Sequence, residues 1–240
     1  MNQRSYHFAK AARLEMLIWV QSLVMVAAFA PQTSHFAPTL KFRENRTLQW
    51  LCGGTVAAMA ISGFHPEMVV DWCLENLLVF VLLAYLIATY KKYPLSNTSY
   101  ALIFVFLCFH EWGAHFKYAD VPLGEWMKGW LHTSRNHYDR VVHLSFGLFF
   151  GYPLHEMYAR YAGVRGKWAY FFPVETVMAF GAIYECIEAL VASIVSPDAG
   201  EAFVGMQGDM WDSQEDMAMG LLGGVMVMTA LAIYRKAHKA

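Results

Sequence analysis

Pairs of ionisable residues lie within the apolar stretches of this sequence, and their spacing would place them on single helix faces. Glu185 and Glu188 are three residues apart, so both carboxyl groups would point to the same side of a helix. Two carboxylates on one face repel each other unless a proton or a cation lies between them. We therefore predict that this pair binds metal. The alternative is a neutral pair that hydrogen-bonds to neighbouring helices.

A second pair, Asp139 and His143, is spaced by four residues and would again share one helix face. The aspartate could simply cap the start of a helix. It could also fix the tautomer of a histidine that works as a base or as a ligand. Arg140 lies between them and could hold an anionic headgroup. We predict Asp139, His143 and Arg140 as the catalytic residues.

The densest polar stretch, QGDMWDSQED, leads into the last apolar segment. It contains Asp209, Asp212 and Asp216, whose spacings of three and four form one stripe if the segment is helical. An acidic helix start that the helix dipole favours is the alternative reading. We predict that these three aspartates join the glutamate pair as metal ligands.

The predicted ligands indicate a divalent metal ion without selecting one. Carboxylates suit Mg²⁺, Ca²⁺ or Mn²⁺, and a histidine in the set also admits iron or zinc. The sequence has no G-x-S-x-G motif, no P-loop and no G-x-G-x-x-G motif. Any chemistry would therefore be metal-assisted or general acid–base chemistry.

A further polar segment contains His110, Glu111 and His115. Its two histidines are five residues apart, so the H-E-x-x-H geometry of zinc proteases is absent. We expect these residues to form a polar rim at the membrane interface.

Composition indicates the elements that must position these side chains. The chain has 240 residues, of which 57% are hydrophobic and 15% charged. Soluble domains average about 45–50% apolar and about 25% charged residues, so the sequence indicates a membrane protein. A net charge of −1 argues against a nucleic-acid partner.

Seven apolar segments are candidates for membrane-spanning helices, each of which needs roughly 20 residues. They are Leu14–Ala30, Leu48–Phe64, Leu74–Thr89, Tyr100–Trp112, Val141–Tyr158, Ala169–Val195 and Met217–Tyr234. We read the first as a retained span rather than a cleaved signal peptide, and Trp126–Leu131 as too short to span. The prediction is an all-α polytopic bundle of about seven spans, with six possible, in a single integral membrane domain over residues 1–240.

The distribution of Lys and Arg orients this bundle. Basic residues lie in the 31–47, 90–99 and 159–168 loops and in the C-terminal tail, which share one side of a seven-span bundle. The N-terminus and the 113–140 segment are also basic and fall on the opposite side, against this orientation. The 65–73 and 196–213 loops contain none and are acidic instead. We therefore expect the acidic loops to lie outside the cytoplasm, with the ionisable residues near the outer face.

At these residues the sequence resembles a known family. YDR-x-x-H within Asn136–Glu156, the E-x-x-E pair and GDMWDSQEDM together resemble the YjdF-type uncharacterised bacterial inner-membrane proteins. The resemblance extends over about residues 15–235. It implies a multi-pass protein of the bacterial inner (cytoplasmic) membrane and supplies no established reaction.

A more distant resemblance is to VanZ-like membrane proteins. Asp139, Arg140 and His143 match their D-[KR]-x-x-H motif, and Glu185 or Glu188 matches a central intramembrane acid. Asp212 and Asp216 match the D-x-x-x-D pattern that precedes a small-residue helix. The sequence departs from that pattern in its extra spans and its second glutamate.

Two functions remain open from the sequence. The first is a membrane-embedded, metal-dependent enzyme that acts on a lipid or lipid-linked substrate near the outer face. The second is a proton- or cation-coupled transporter or a small-molecule-binding membrane protein, in which the intramembrane acids carry the charge. The oligomeric state is left open.

Overall fold

The computed structural model describes residues 39–195 and 197–238, where all regular secondary structure is helical. The eight α-helices are α1 (Arg46–Ser62), α2 (Val69–Thr89), α3 (Asn97–Phe116), α4 (Pro122–Leu131), α5 (Tyr138–Arg160), α6 (Trp168–Ala192), α7 (Pro197–Val204) and α8 (Asp212–Ala237). Short 3₁₀ turns precede α1 at Phe42–Glu44 and α4 at Tyr118–Asp120. The predicted all-α class is confirmed.

Six of these helices, α1, α2, α3, α5, α6 and α8, coincide with six of the predicted segments. The remaining predicted segment, Leu14–Ala30, lies outside the described residues. Among the described helices, α2 and α8 are long and apolar enough to cross a membrane by length and composition. Helix α4 is a separate helix of ten residues, too short to cross.

Glycines let the backbones of α5 and α8 touch. A Cβ atom at Gly147 would lie 2.1 Å from the carbonyl oxygen of Gly220, and one at Gly223 would lie 2.3 Å from that of Leu144. Small residues of this kind allow two membrane helices to approach closely. A Cβ atom at Gly220 would lie near the His143 carbonyl, and one at Gly151 would lie near Val227. Because these contacts advance along both helices together, α5 and α8 run parallel and their first turns lie side by side.

Helix α6 runs antiparallel to this pair, with Gly181 near Met217 and Val177 near Gly224. Its last turns therefore lie beside the first turns of α5 and α8. Helix α3 also runs antiparallel to α5, because the Tyr138 hydroxyl donates to the Phe109 carbonyl and Phe106 contacts Phe150. One end of the bundle therefore gathers the start of α5 and α8 and the end of α3 and α6.

A buried carboxylate fixes the opposite end of the bundle. Glu156 of α5 accepts hydrogen bonds from the Ser96 backbone N–H at 2.9 Å, the Ser96 hydroxyl at 2.7 Å and the Ser99 hydroxyl at 2.5 Å. Its Oε1 also lies 2.9 Å from Arg160. Together these charge-assisted hydrogen bonds compensate the cost of burying the Glu156 carboxylate, and the serine bonds join α5 to the start of α3.

Candidate metal centre

Three side chains from α5 and α8 converge at the polar end of the bundle. Asp139, His143 and Asp216 each offer one ligand atom, and these atoms lie within 4.8 Å of one another. The spacing of four within α5 stacks its two ligands on one face, and the glycine contact with α8 brings Asp216 opposite them. An ion about 2.0–2.5 Å from each ligand atom would fit this spacing.

Helix α6 adds two glutamates to this group. The His143 Nε2 atom lies 3.5 Å from Asp139 Oδ1 and 3.7 Å from Glu185 Oε1, so both carboxylates face the same ring nitrogen. Glu188 is also buried, one helical turn further along the same face. We call Asp139, His143, Asp216, Glu185 and Glu188 the acidic centre.

The negative charge of the acidic centre is not balanced by basic side chains. Within residues 39–195 and 197–238, no lysine or arginine forms an ion pair with Glu185, Glu188 or Asp216. Glu185 Oε1 and Asp216 Oδ1 are buried without a hydrogen-bond partner in that same part of the chain. Because burying uncompensated carboxylates is costly, protons or a cation must occupy the space between them. The arrangement is chemically suited to a divalent metal ion.

Arg135 draws one predicted ligand away from this group. Its guanidinium forms a buried ion pair with Asp212 and donates a hydrogen bond of 2.5 Å to the Met206 carbonyl. Arg135 lies in the segment before α5, outside the apolar stretches, so the sequence analysis assigned it no role. Asp212 therefore borders the acidic centre as the partner of an arginine.

Arg140 pairs with acidic residues on the solvent side of the centre. Its guanidinium lies 2.6 Å from Asp209 Oδ2 and also contacts Glu215. The Trp211 backbone N–H donates to Asp209 Oδ1 at 2.9 Å, and together with Arg140 it lowers the pKa of Asp209 below its ordinary value. Asp209 is therefore a fixed anion in an ion pair, placed apart from the other predicted ligands.

Residues 205–211, which we call the cover loop, lie over Asp139. A Cβ atom at Gly205, whose φ is +63°, would lie 3.7 Å from Asp139 Oδ2. The Gln207 side chain accepts from the Asn136 backbone N–H at 2.8 Å and donates to the Asn136 carbonyl at 3.0 Å. These paired bonds and the Arg135 bond to the Met206 carbonyl fasten the loop to the segment before α5, and the ion pair between Asp209 and Arg140 fastens it to α5 itself.

Polar residues that the sequence analysis left without a role extend the acidic centre toward α2. The Tyr184 hydroxyl donates to Glu75 Oε2 at 2.9 Å, and its ring centroid lies 5.9 Å from that of His143. Asp71, one turn before Glu75, is buried with both carboxylate oxygens lacking a hydrogen-bond partner in the described chain. The sequence feature that could have indicated these residues is Glu75, an acidic residue inside the apolar run of α2.

The expected polar rim at the end of α3 is mostly inside the bundle. His110 and Glu111 are buried, and His115 is half-buried. Glu111 accepts a hydrogen bond from Ser62, and the His110 Nδ1 atom lies 2.6 Å from the Tyr118 hydroxyl. The rim prediction is therefore wrong for His110 and Glu111, because partners from α1 and from the turn after α3 cover them.

Comparison with known proteins places these observations in a family. A family profile described as "Predicted membrane protein (DUF2238)" matches residues 47–237. The chain is 37% identical to the "Inner membrane protein YjdF" of Escherichia coli (strain K12) over 172 residues, which cover 71% of this chain and 82% of that protein. No solved structure matches the chain. The predicted resemblance to the YjdF-type inner-membrane proteins and the predicted location in the bacterial inner membrane are confirmed.

Proposed function

The chain belongs to the family of predicted membrane proteins DUF2238, and from that premise we propose that it is a membrane-embedded, metal-dependent enzyme acting on a lipid or lipid-linked substrate. The observation that supports this function most is the convergence of Asp139, His143 and Asp216 on one point. Two buried oxygens beside that point, on Glu185 and Asp216, lack a hydrogen-bond partner in the described chain.

The distances favour a division of roles within the acidic centre. Asp139, His143 and Asp216 hold the divalent ion, and Glu185 or Glu188 completes the ligand set or accepts a proton as general base. The bound ion would polarise a substrate oxygen or lower the pKa of a bound water molecule. Two carboxylates and one imidazole are compatible with manganese, iron or zinc.

The position of the acidic centre supports a substrate in the outer leaflet. It lies at the end of the bundle opposite the Lys91–Lys92 loop and the Arg165–Lys167 loop, which are the cytoplasmic loops by the distribution of positive charge. Each of the six long described helices would cross the membrane once in this arrangement. A headgroup at the outer surface would then meet the acidic centre, while Arg140 exchanges one of its carboxylate partners for an anionic group.

The second candidate function is proton- or cation-coupled transport. The hydrogen bond between Tyr184 and Glu75 favours it, because it extends buried polar groups from the acidic centre toward Asp71. Intramembrane acids arranged in a series are typical of proton pathways.

Metal analysis of the purified protein tests the enzyme proposal. We expect the wild type, purified without chelator, to contain close to one divalent ion per chain and Asp216→Asn to contain little. Glu111→Gln is the matched control, since it removes a buried carboxylate at the same end of the bundle but outside the acidic centre. Mass spectrometry of copurified lipid tests the substrate class.

Wild-type protein that neither contains metal nor binds added manganese, iron or zinc would contradict the enzyme proposal. It would leave the transport function, which is tested by measuring pH-dependent cation uptake into vesicles that contain the protein.

A further inference from the structure

Helix α4 packs one face against the protein and exposes an apolar face. On the inner face, Gly124 packs so closely on the Asn136 side chain that a Cβ atom would lie 1.5 Å from its oxygen. Glu125 pairs with Lys128 at 2.5 Å. On the outer face, Trp126 is 62% and Trp130 74% exposed, and their stacked ring centroids are 5.7 Å apart.

The cover loop shows the same division. Two of its polar side chains bond to the rest of the protein: Gln207, which is itself exposed, bonds to Asn136, and Asp209 pairs with Arg140. Its apolar side chains turn outward, with Met210 78% and Trp211 60% exposed.

Asn136 joins these two elements into one unit. Its side-chain amide donates to the Val121 carbonyl at 3.0 Å and to Glu125 at 2.9 Å, which fixes α4. Its backbone forms both bonds to Gln207, which fixes the cover loop. Because Asn136 lies three residues before Asp139, the unit borders the acidic centre. We call its exposed side chains the apolar rim: Trp126, Trp130, Leu131, Met206, Met210 and Trp211.

We propose that the apolar rim is seated in the membrane–water interface, so that its partner is a lipid surface. None of the six rim side chains is ionisable, and the neighbouring Glu125 and Asp209 form ion pairs with Lys128 and Arg140. Tryptophan has a large apolar body and one N–H, and it is enriched at the headgroup level of membranes. A short helix with one apolar face lies in the plane of that interface.

Other apolar side chains are exposed at the same end of the bundle as the apolar rim. At the same end of the bundle, the turn between α1 and α2 exposes Phe64 and Val69, and it is tied to the end of α3 by the Glu67 N–H bond to the His115 carbonyl. Between this turn and α4, the charged side chains of Glu67 and Asp120 both pair with Lys117. A water-filled loop region would not need this apolar cover.

This placement goes beyond the proposed function and does not depend on a bound metal. It puts the acidic centre at headgroup depth and lets a lipid reach it sideways from the bilayer.

Fluorescence quenching in lipid nanodiscs tests the placement. The nanodiscs contain phosphatidylglycerol and phosphatidylcholine with bromine atoms near the upper end of the acyl chains, and iodide serves as the aqueous quencher. Trp126→Phe/Trp130→Phe removes two of the eight tryptophans and keeps the face apolar. We expect the double variant to lose part of the emission that the brominated lipid quenches, with the iodide-quenched emission unchanged.

Trp112→Phe is the matched control, since Trp112 is only 8% exposed and its removal should leave lipid quenching unchanged. Trp211→Phe is a second, independent measurement on the cover loop, with the same expected loss. If the double variant instead loses iodide-quenched emission, the rim faces water and the proposal fails. If it loses neither, the rim is covered by protein, such as a second copy of the chain, and the proposal also fails.

Discussion

Two kinds of buried carboxylate occur in this protein, and they differ in how their charge is compensated. Glu156 accepts hydrogen bonds from Ser96 and Ser99 and pairs with Arg160, so every part of its charge is met by a neighbour. Glu185 and Asp216 each retain a buried oxygen without a hydrogen-bond partner among the described residues. A polar atom left in this state needs a ligand, a proton or a function to explain it. The first kind stabilises the fold. The second kind also includes Asp71 and Glu111, but Glu185 and Asp216 are the ones that lie beside His143 at the candidate metal centre.

Substitutions of Glu185 and Glu188 can distinguish a metal-binding role of this pair from a purely structural one. Glu185→Gln and Glu188→Gln keep the shape of each side chain and remove a negative charge. If the pair contributes to a metal site, we expect each variant to bind metal about tenfold more weakly or worse, and the metal-free protein to melt at a higher temperature because a like-charge contact is relieved. Metal content and thermal stability are measured together.

If Glu185 and Glu188 have only a structural role, we expect a different result for the same two variants. A protonated Glu and a Gln make similar hydrogen bonds, so both measurements would stay near wild type. Unchanged metal content in both variants would refute the assignment of Glu185 and Glu188 as ligands.

At the scale of elements, the close contact of α5 with α8 determines the geometry of the site. The Gly147–Gly220 and Gly223–Leu144 contacts lie only two turns from the acidic side chains, so the distance between the two backbones controls how closely Asp139 and Asp216 approach. These glycines therefore position the candidate ligands.

Enlarging one contact glycine tests this dependence. In Gly223→Ala the new Cβ would meet the Leu144 carbonyl at 2.3 Å and the Leu148 N–H nitrogen at 2.8 Å, and both are backbone atoms that cannot rotate away. We expect a loss of about 1–3 kcal/mol in the free energy of unfolding, together with reduced metal content because α5 and α8 separate. Denaturant unfolding in detergent and elemental analysis are the measurements.

Gly53→Ala is the control, since a Cβ atom there has nothing within 4 Å. A helical Gly→Ala change without contacts should raise stability by up to about 1 kcal/mol. If Gly223→Ala and Gly53→Ala have the same free energy of unfolding and the same metal content, the α5–α8 contact does not determine the geometry of the site.

At the scale of the whole molecule, most of the buried carboxylates lie at one end of the bundle, where the basic side chains of the 113–140 segment are paired with acidic residues. The acidic centre, Asp71 and Glu111 lie at one end. The other end has the basic loops after α2 and α5 and the Arg235–Lys236 pair at the end of α8. This division agrees with a membrane orientation in which the basic end faces the cytoplasm.

Reporter fusions test the orientation directly. A fusion near Asp198, in the 196–213 loop without Lys or Arg, should read extracytoplasmic. A fusion after Lys92 should read cytoplasmic and is the internal control. A cytoplasmic signal at Asp198 combined with an extracytoplasmic signal at Lys92 would reverse the bundle and move the acidic centre to the inner face.

The sequence by itself determined the helical class, the approximate limits of six described helices and the pairs that share a face. Asp139 with His143 and Glu185 with Glu188 follow from spacings of four and three, since helical periodicity fixes the direction of side chains within one helix. The membrane class followed from composition, because an aqueous domain cannot carry so much apolar surface.

Only the tertiary structure decided which groups from different helices meet. Periodicity carries no information on the rotation or separation of two helices, so it could not distinguish Asp216, which faces His143, from Asp212 and Asp209, which pair with Arg135 and Arg140. Those contacts depend on the α5–α8 packing and on a cover loop held by Asn136. Sequence spacing limits which residues can share one face, and packing between helices selects the ones that form a site.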